Sequence, residues 1–459
     1  KYMQQDFIKE IHSSFPERAE KILESILSEP VTSIRINSRK PAKASGLEKV
    51  KWCDNGFYLK ERPQFTFDAK FHTGQYYVQD ASSMFICQVL KELALGKDIC
   101  YLDLCAAPGG KTTAAIDCLT GNSLIVANEI DYSRAQILRE NIIKWGTPNC
   151  MVLNDTPKKI GKIKNFFDII ATDMPCSGEG MFRKDAFARE QWTPELVEEC
   201  AERQKNIIDD IWGALKPGGY IIYSTCTFNR KENEEIIQYL IEEYDATPIE
   251  IETKESWGID PAVNSNAPCY RFMPDKANGE GLFMAVLKKP GDYNPALPKS
   301  LKDKAKNFPI PKECYDMTTP MMKITSDGTN INAIPNSLFT PMKHILNLAN
   351  VIYFGIELAT IKGKDIIPQH ALSQSINLNR QKFELVNVDY QQAIAYLRGE
   401  AITADNPGKS KHFIVCYENT PLGWMKSIGN RANNLYPKEW RIRSMNTPAE
   451  PQDILKCNN

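Results

Sequence analysis

Leu-Cys-Ala-Ala-Pro-Gly-Gly-Lys-Thr, residues 104–112, joins an apolar run to a helical pattern, and that junction decides how the chain folds. The pattern predicts a strand over 99–105 and a helix over 111–119 closed by Gly121. Gly109 and Gly110 leave the turn free of side chains, so its amides can face a ligand, while Pro108 removes one donor and stiffens the loop. The turn is not G-x-G-x-x-G. Nor is it a phosphate-binding G-x-x-x-x-G-K-[ST] loop, because Cys105 stands where its first glycine belongs. Outward from this turn, strands are expected over 123–128, 151–153, 167–172 and 220–224. They alternate with helices over 133–145, 194–215 and 231–244. That rhythm predicts an α/β fold, a doubly wound parallel sheet with helices on both faces.

Chemistry concentrates where these strands end, the edge at which an open parallel sheet binds ligands. Glu129, about twenty residues past the turn, is placed to accept from both hydroxyls of a ribose, and Asp155, after the third strand, from an adenine amino group. A cofactor that is nucleoside-like yet carries no phosphate, S-adenosylmethionine, suits such a turn. Two cysteines follow neighbouring strand patterns, Cys176 in Asp-Met-Pro-Cys-Ser-Gly (173–178) and Cys226 in Tyr-Ser-Thr-Cys-Thr-Phe (223–228). A thiolate added to C6 of a cytosine makes C5 enamine-like and able to take a methyl group. A base must then remove the C5 proton so that the thiol can leave. Asp173 suits the N3/N4 edge of such a ring. A free thiol ionises near ~8.5 and needs a positive setting, which Lys111 or Lys184 or a bound sulfonium supplies. Spacing alone leaves open which cysteine attacks.

The flanks bear on the substrate. Residues 8–27 carry one helical apolar spacing, residues 31–37 read as a strand with Arg35 opposite Ile34 and Ile36, and residues 81–95 as a helix. Six prolines and many lysines over 290–320 read as an extended linker. Beyond it, short strands (351–354, 412–417), a helix (390–397) and turns at Pro407-Gly408 and Pro421-Leu-Gly make a second compact region. The division expected is 1–85 for RNA recognition, 86–289 for methyl transfer, 290–330 as Pro/Lys-rich linker and 331–459 as an RNA-binding domain. The net charge of −1 hides an asymmetry: residues 286–459 hold 22 Lys+Arg against 15 Asp+Glu, residues 1–285 hold 34 against 42. A positive tail on an acidic body fits a nucleic-acid-binding appendage. Tyr76, Tyr77, Trp440, Arg441 and Arg443 are candidates for stacking on unpaired bases. No apolar run approaches the ~18 residues of a membrane span. The opening Lys-Tyr-Met-Gln-Gln-Asp has no apolar core of a signal peptide. The thirteen cysteines form no C-x-x-C pair and no zinc spacing. A cytoplasmic monomer with reduced thiols and no metal is expected.

Three segments resemble the RNA cytosine-5 methyltransferases of the Nol/Nop/Sun family: residues 102–112, the stretch Asp173-Met-Pro-Cys-Ser-Gly-Glu-Gly-Met-Phe-Arg-Lys-Asp185, and Ser-Thr-Cys-Thr-Phe at 224–228. The longer string most resembles the bacterial ribosomal small-subunit methyltransferase F-like branch. Residues 71–83 and Gly279-Glu-Gly-Leu-Phe283 are similar to further segments of that family. Pro421-Leu-Gly-Trp with Asn433-Asn-Leu-Tyr-Pro-Lys resembles its PUA-like RNA-binding domain. The resemblance implies a Rossmann-like methyltransferase sheet with a small N-terminal α/β region and a C-terminal PUA-like mixed/β domain, acting on C5 of a cytosine in 16S ribosomal RNA, free or within the small subunit. It implies that Cys226 attacks and Cys176 assists release, and that Cys105, Ala106, Ala107, Pro108, Gly109, Gly110, Lys111, Glu129, Asp155 and Asp173 contact S-adenosylmethionine. Leu282 and Asp275 depart from the family pattern, which often has His or Phe at the first and His at the second. A DNA cytosine-5 methyltransferase would instead attack with the Pro-Cys cysteine, and a non-catalytic RNA-binding assembly factor would have lost the turn or a cysteine.

Overall fold

In the computed structural model, residues 3–296, 308–403, 410–428, 431–452 and 454–455 are described. The centre is a nine-stranded sheet. Its main elements in chain order are β1 (Cys100–Asp103), α1 (Gly110–Cys118), β2 (Leu124–Asn128), α2 (Tyr132–Trp145), β3 (Cys150–Leu153), β4 (Phe167–Asp173), α3 (Pro194–Ile211), β5 (Leu215–Thr225), α4 (Glu234–Tyr244), β6 (Leu282–Lys288) and β7 (Val351–Phe354), and two short strands, Thr247–Pro248 and Tyr270–Phe272, complete the nine by pairing with β6. The first five strands are parallel in the order 3-2-1-4-5, with β6 antiparallel outside β5 and β7 antiparallel outside β3. Leu-Ile-Val-Ala-Asn of β2 is buried at every position, as a strand covered on both faces requires. The strand order reverses between β1 and β4, which opens a crevice at the carboxyl ends. β4 and β5 are neighbours with Asp173 opposite Ser224, so the segments bearing Cys176 and Cys226 leave the sheet side by side.

Local rules account for the helix limits. Asp131 accepts from Arg134 N at 2.8 Å to start α2, and Gly146, at φ +85°, ends it. Thr193 caps α3, with Pro194 in its first turn. The single helix expected over 8–27 is two, Gln5–Ser14 and Ala19–Leu27, because Pro16 cannot continue a helix. The helix expected over 81–95 begins as a 3-10 turn, Ser82–Phe85, before Ile86–Ala94.

The N-terminal region is a four-stranded sheet fastened to α1 by Arg35. That side chain is fully buried. It pairs with Asp117, donates to Gln79 Oε1 at 2.9 Å and Thr113 Oγ1 at 2.5 Å, and lies 4.9 Å from the Trp145 ring. The C-terminal part holds two further four-stranded sheets, one of Met322–Ser326, Asn330–Pro335, Ile356–Lys362 and Asp365–Pro368, the other of Leu385–Asn387, His412–Tyr417, Thr420–Ile428 and Arg431–Asn434. Two details differ from the sequence reading. Met322–Ser326, inside the stretch read as linker, is a strand hairpinned to Asn330–Pro335 across Asp327-Gly328. Residues 351–354 form an edge of the central sheet and not a strand of a separate region. Residues 297–307 of the expected linker, and the turn at Pro407-Gly408, lie outside the described residues. Among the described residues no helix is long and apolar enough to cross a membrane.

Candidate active site

The turn after β1 and the loops after β4 and β5 converge. Gly109 adopts φ +116°, a conformation that suits glycine, and a Cβ there would stand 3.2 Å from Leu138. Gly110 opens α1, whose first amides have no intrahelical partner. Lys111, from the same turn, reaches Asp173 Oδ2 at 2.8 Å, and Ser224 Oγ lies 3.2 Å from Asp173 Oδ1. The Cys226 sulfur is among the groups acting on the Lys111 charge. Lys184 is turned elsewhere, 3.6 Å from Glu280. Lys111 is therefore the lysine that pairs with the acid and whose charge reaches the thiol.

The two thiols meet. Cys176 Sγ and Cys226 Sγ are 3.4 Å apart. The hydrogen bond to Cys226, then burial, push the Cys176 thiol far above its ordinary range, so Cys176 keeps its proton. Beneath them lies a buried polar brace that sequence reasoning missed. Glu232 accepts from Ser177 N at 3.0 Å, from the Ser177 hydroxyl, from Gln204 Nε2 at 2.9 Å and from Asn229 Nδ2 at 2.8 Å. Glu179 accepts from Phe228 N at 2.5 Å, Asn229 N at 3.0 Å, Asn229 Nδ2 at 2.9 Å and Trp192 Nε1 at 2.9 Å. Ser177 follows one cysteine and Asn229 stands three residues after the other, so the brace sets the separation of the thiols. Gly180 N donates to Cys226 O at 2.6 Å, and a Cβ on Gly180 would stand 2.6 Å from that oxygen, which leaves room for glycine alone. Glu179 lay within the quoted motif; Glu232 sat unmarked in a stretch read as helix.

The other expected contacts vary in how free they are. Glu129 is nearly buried; its Oε1 accepts from Asp131 N at 3.0 Å and its Oε2 is 3.5 Å from Arg134. Both oxygens of Asp155 are engaged, by Lys159 at 2.9 Å and by Asn350 N at 2.6 Å beside the β7 edge. Asp103, at the end of β1, was not singled out in sequence. Its Oδ2 accepts from Thr112 Oγ1 at 2.6 Å, its Oδ1 is buried without a partner, and burial raises the carboxyl to about 7. A side-chain-free turn, strand-end acids and this orphaned oxygen fit a nucleoside with a cationic amino-acid end. The two departures from the family pattern have structural partners: Asp275 accepts from Arg18 Nε at 2.9 Å and Nη2 at 2.8 Å, and Leu282 is core.

Of the residues considered for base stacking, Tyr76 is in the core, its hydroxyl 2.7 Å from Asp68, and so is removed from a stacking role. Tyr77 stacks edge-on against Trp145, and Trp440 against His370. Arg441 packs over Gly399, and Arg443 is exposed. Twelve free cysteines are described, with no disulfide among them, and Cys457 lies outside the described residues.

Comparison with known proteins agrees over nearly the whole chain. Residues 91–288 match the family model of the 16S rRNA methyltransferase RsmB/F, residues 3–81 the N-terminal domain of 16S rRNA methyltransferase RsmF, and residues 383–442 the methyltransferase RsmF PUA domain. Ribosomal RNA small subunit methyltransferase F of Escherichia coli O9:H4 (strain HS) is 32% identical over 444 residues, 89% of each chain. The protein of that name from Shewanella sp. (strain MR-4) is 30% identical over 440 residues, 89% of this chain and 90% of that one. Among solved structures, NSun6 from Pyrococcus horikoshii with SFG shares the fold at TM-score 0.55 and 21% identity, covering 63% of this chain and 99% of its own. The chain belongs to the RsmB/F family of 16S rRNA methyltransferases, as an F-type member with the N-terminal and PUA domains of that type.

Proposed function

We propose that this protein methylates C5 of a cytosine in small-subunit ribosomal RNA, in the cytoplasm, through a covalent bond between Cys226 and C6 of the base. The observation that carries the reading is the thiol pair, one sulfur holding its proton 3.4 Å from the other at the carboxyl edge of the sheet. S-adenosylmethionine, held by residues 105–111 with Glu129, Asp155 and Asp173, supplies an electrophilic methyl group when bound. Cys226, beside the Lys111 ammonium, adds its sulfur to C6 and pushes the C5–C6 π electrons toward C5. Asp173, fixed by Lys111 and Ser224, accepts from the N4 amine and steadies a protonated N3. Once C5 has taken the methyl group and lost its proton to a base, the C5–H electrons re-form the double bond. In the same step the C6–S bond breaks, its electron pair leaves on the Cys226 sulfur, and Cys176 hands its proton to that sulfur. Residues 1–85 and 331–459 present the RNA to the methyltransferase domain at 86–289.

The test traps the bond. A 16S RNA transcript carrying 5-fluorocytosine cannot lose a proton from C5, so wild-type protein given the donor is expected to become attached to it in a denaturation-resistant adduct. Cys226→Ser is expected to form no adduct and to lose at least about 10³-fold in turnover, the scale seen when a covalent nucleophile is removed. Cys176→Ser is expected to keep the adduct and stall at release. The reverse pattern, adduct lost with Cys176→Ser and kept with Cys226→Ser, would overturn the assignment.

A further inference from the structure

Three further cysteines gather apart from the catalytic pair. Cys53 stands in the turn before Gly56–Leu59 of the N-terminal sheet, Cys87 in the helix Ile86–Ala94 and Cys118 at the end of α1. The Cys53 and Cys87 sulfurs lie 3.7 Å apart. Hydrogen bonding to Cys118 is the leading influence on the Cys87 thiol, so a third sulfur adjoins the pair. All three line a cavity of about 480 Å³, and neither Cys176 nor Cys226 does. α1 runs from the glycine turn to Cys118, and its 9 residues span about 13.5 Å, so the cluster lies a helix length from the cofactor edge.

The surroundings hold the pair in place. Cys53 N donates to Val50 O at 3.2 Å and Gly56 N to Cys53 O at 3.0 Å, which closes the turn on both sides of the thiol. Trp52 Nε1 donates to Ala81 O at 2.7 Å and ties that turn to the residues leading into the Cys87 helix. The buried Arg35 guanidinium faces the cluster: after burial and Asp117, the sulfurs of Cys87, Cys53 and Cys118 are what act on its charge. The hydrogen bond to Cys87, then burial, push the Cys53 thiol up, and the Arg35 charge works against that rise.

Two sulfurs held in contact are close to a bond. A disulfide brings its sulfurs to about 2.05 Å, an approach of roughly 1.7 Å from the present contact, on the scale of side-chain rotation. Among the described residues no three His, Cys, Asp or Glu side chains are grouped to hold a metal ion, so the chemistry open to the cluster is that of paired thiols. Cys87 is half-buried and Cys53 is 4% exposed, so Cys87 is the member of the pair that a small reagent in the cavity meets first.

We propose that Cys53 and Cys87 form a reversible disulfide site, oxidised by exchange with a low-molecular-weight disulfide that enters the cavity. In the first exchange the Cys87 sulfur attacks one sulfur of the reagent. The reagent's S–S bond breaks, its electron pair leaves on the other sulfur, and that sulfur takes the Cys87 proton and departs as a thiol. In the second exchange the Cys53 sulfur attacks the Cys87 sulfur, the mixed disulfide breaks, and the second reagent thiol departs with the Cys53 proton. The protein gives up two electrons and two protons, the reagent gains both, and excess reagent thiol runs the steps backward. The bond closes residues 53 to 87 into a loop and fastens the N-terminal region to the methyltransferase domain beside the Arg35 anchor. The site is independent of the methyl-transfer reading, since no residue of that reaction takes part.

The experiment equilibrates full-length protein with glutathione over a range of reduced-to-oxidised ratios, quenches with acid, alkylates the remaining thiols and maps the peptides without reduction. Wild type is expected to yield a Cys53–Cys87 peptide at oxidising ratios and to lose it when reduced glutathione is restored. Cys53→Ser/Cys118→Ser is expected to stop at the first exchange, with glutathione held on Cys87. Under the oxidising condition the thermal midpoint of wild type should rise by a few degrees and that of Cys87→Ser should not. The comparison isolates this bond, because any Cys176–Cys226 bond forms in both proteins. The proposal falls if Cys53 and Cys87 stay fully alkylated at ratios that cross-link Cys176 with Cys226. It also falls if Cys87 pairs with Cys118 instead, or if the Cys53–Cys87 bond appears only after the protein is unfolded in urea.

Discussion

Two buried polar clusters in this molecule are built on opposite terms. Beneath the thiols, Glu179, Asn229 and Glu232 have their oxygens and amide hydrogens matched to donors and acceptors from both cysteine loops. At the junction with the C-terminal part, both ring nitrogens of His370, the Tyr436 hydroxyl and Gln374 Oε1 are buried with no hydrogen-bond partner among the described residues. Each such group costs about 1–3 kcal/mol of unreturned hydration. The His370 ring is held neutral there, pushed down to about 3 by burial and by the Lys144 and Lys40 charges. A satisfied network in a low-dielectric interior is rigid and fixes geometry before substrate arrives. Unsatisfied groups hold no neighbour in place. Under the proposed mechanism, two sulfurs at one spacing need the first arrangement, and the junction carries no such demand.

The largest expected effect attacks the brace. Glu232→Ala leaves the Ser177, Gln204 and Asn229 donors facing a void, and is expected to cost about 3–5 kcal/mol in urea unfolding, the range for breaking a buried charged network. If the variant survives purification, its two thiols should no longer cross-link at the wild-type rate under mild oxidation. A loss under about 1 kcal/mol would remove the brace from its role.

The junction should respond with the opposite sign. His370→Phe replaces two orphaned nitrogens with an apolar ring against Tyr436 and Trp440. It is expected to be neutral or to stabilise by about 1–2 kcal/mol, since buried groups without partners are cheap to replace. Destabilisation as large as that of Glu232→Ala would end the contrast between the two clusters.

How much of this was visible in the sequence follows the same division. The βαβ rhythm, the glycine turn and the strand-end acids were legible because they are local: period, caps and punctuation fix them within a few residues. The pairing of Cys176 with Cys226 was legible only by halves, since each cysteine announced a strand end, but their contact depends on β4 and β5 being neighbours. Glu232 was not legible, because a glutamate entering a helix reads as solvated surface until tertiary packing buries it. The strand Met322–Ser326 was hidden by the prolines before it, and β7, expected as a strand, was given to the wrong sheet because its partner lies some two hundred residues earlier in the chain. Arg35 was read as the outward side of a strand. It is buried because a second layer, α1 and Trp145, closes over that face.

Asp103 belongs half to each cluster, and so sharpens the contrast through the pH dependence of stability. Its Oδ2 is satisfied by Thr112 and its Oδ1 by nothing. Burial, with Asp173 and Glu129 nearby, raises its carboxyl from the ordinary 3.8 to about 7. The folded chain therefore holds a proton between about 4 and 7 that the unfolded chain has released. Its contribution to stability is fully present below pH 4 and is lost as pH rises through 7, at up to ~1.4 kcal/mol per pH unit within the window. Asp103→Asn keeps an oxygen for Thr112 and removes the titration. Urea unfolding at pH 5, 6, 7 and 8 should show the variant gaining on wild type with each step. Asp117, raised to about 6 by its own burial, slopes the same way in both proteins and cancels in the difference. A difference that stays flat from pH 5 to pH 8 would mean that Oδ1 is satisfied in solution, and that Asp103 belongs wholly with the matched groups beneath the thiols.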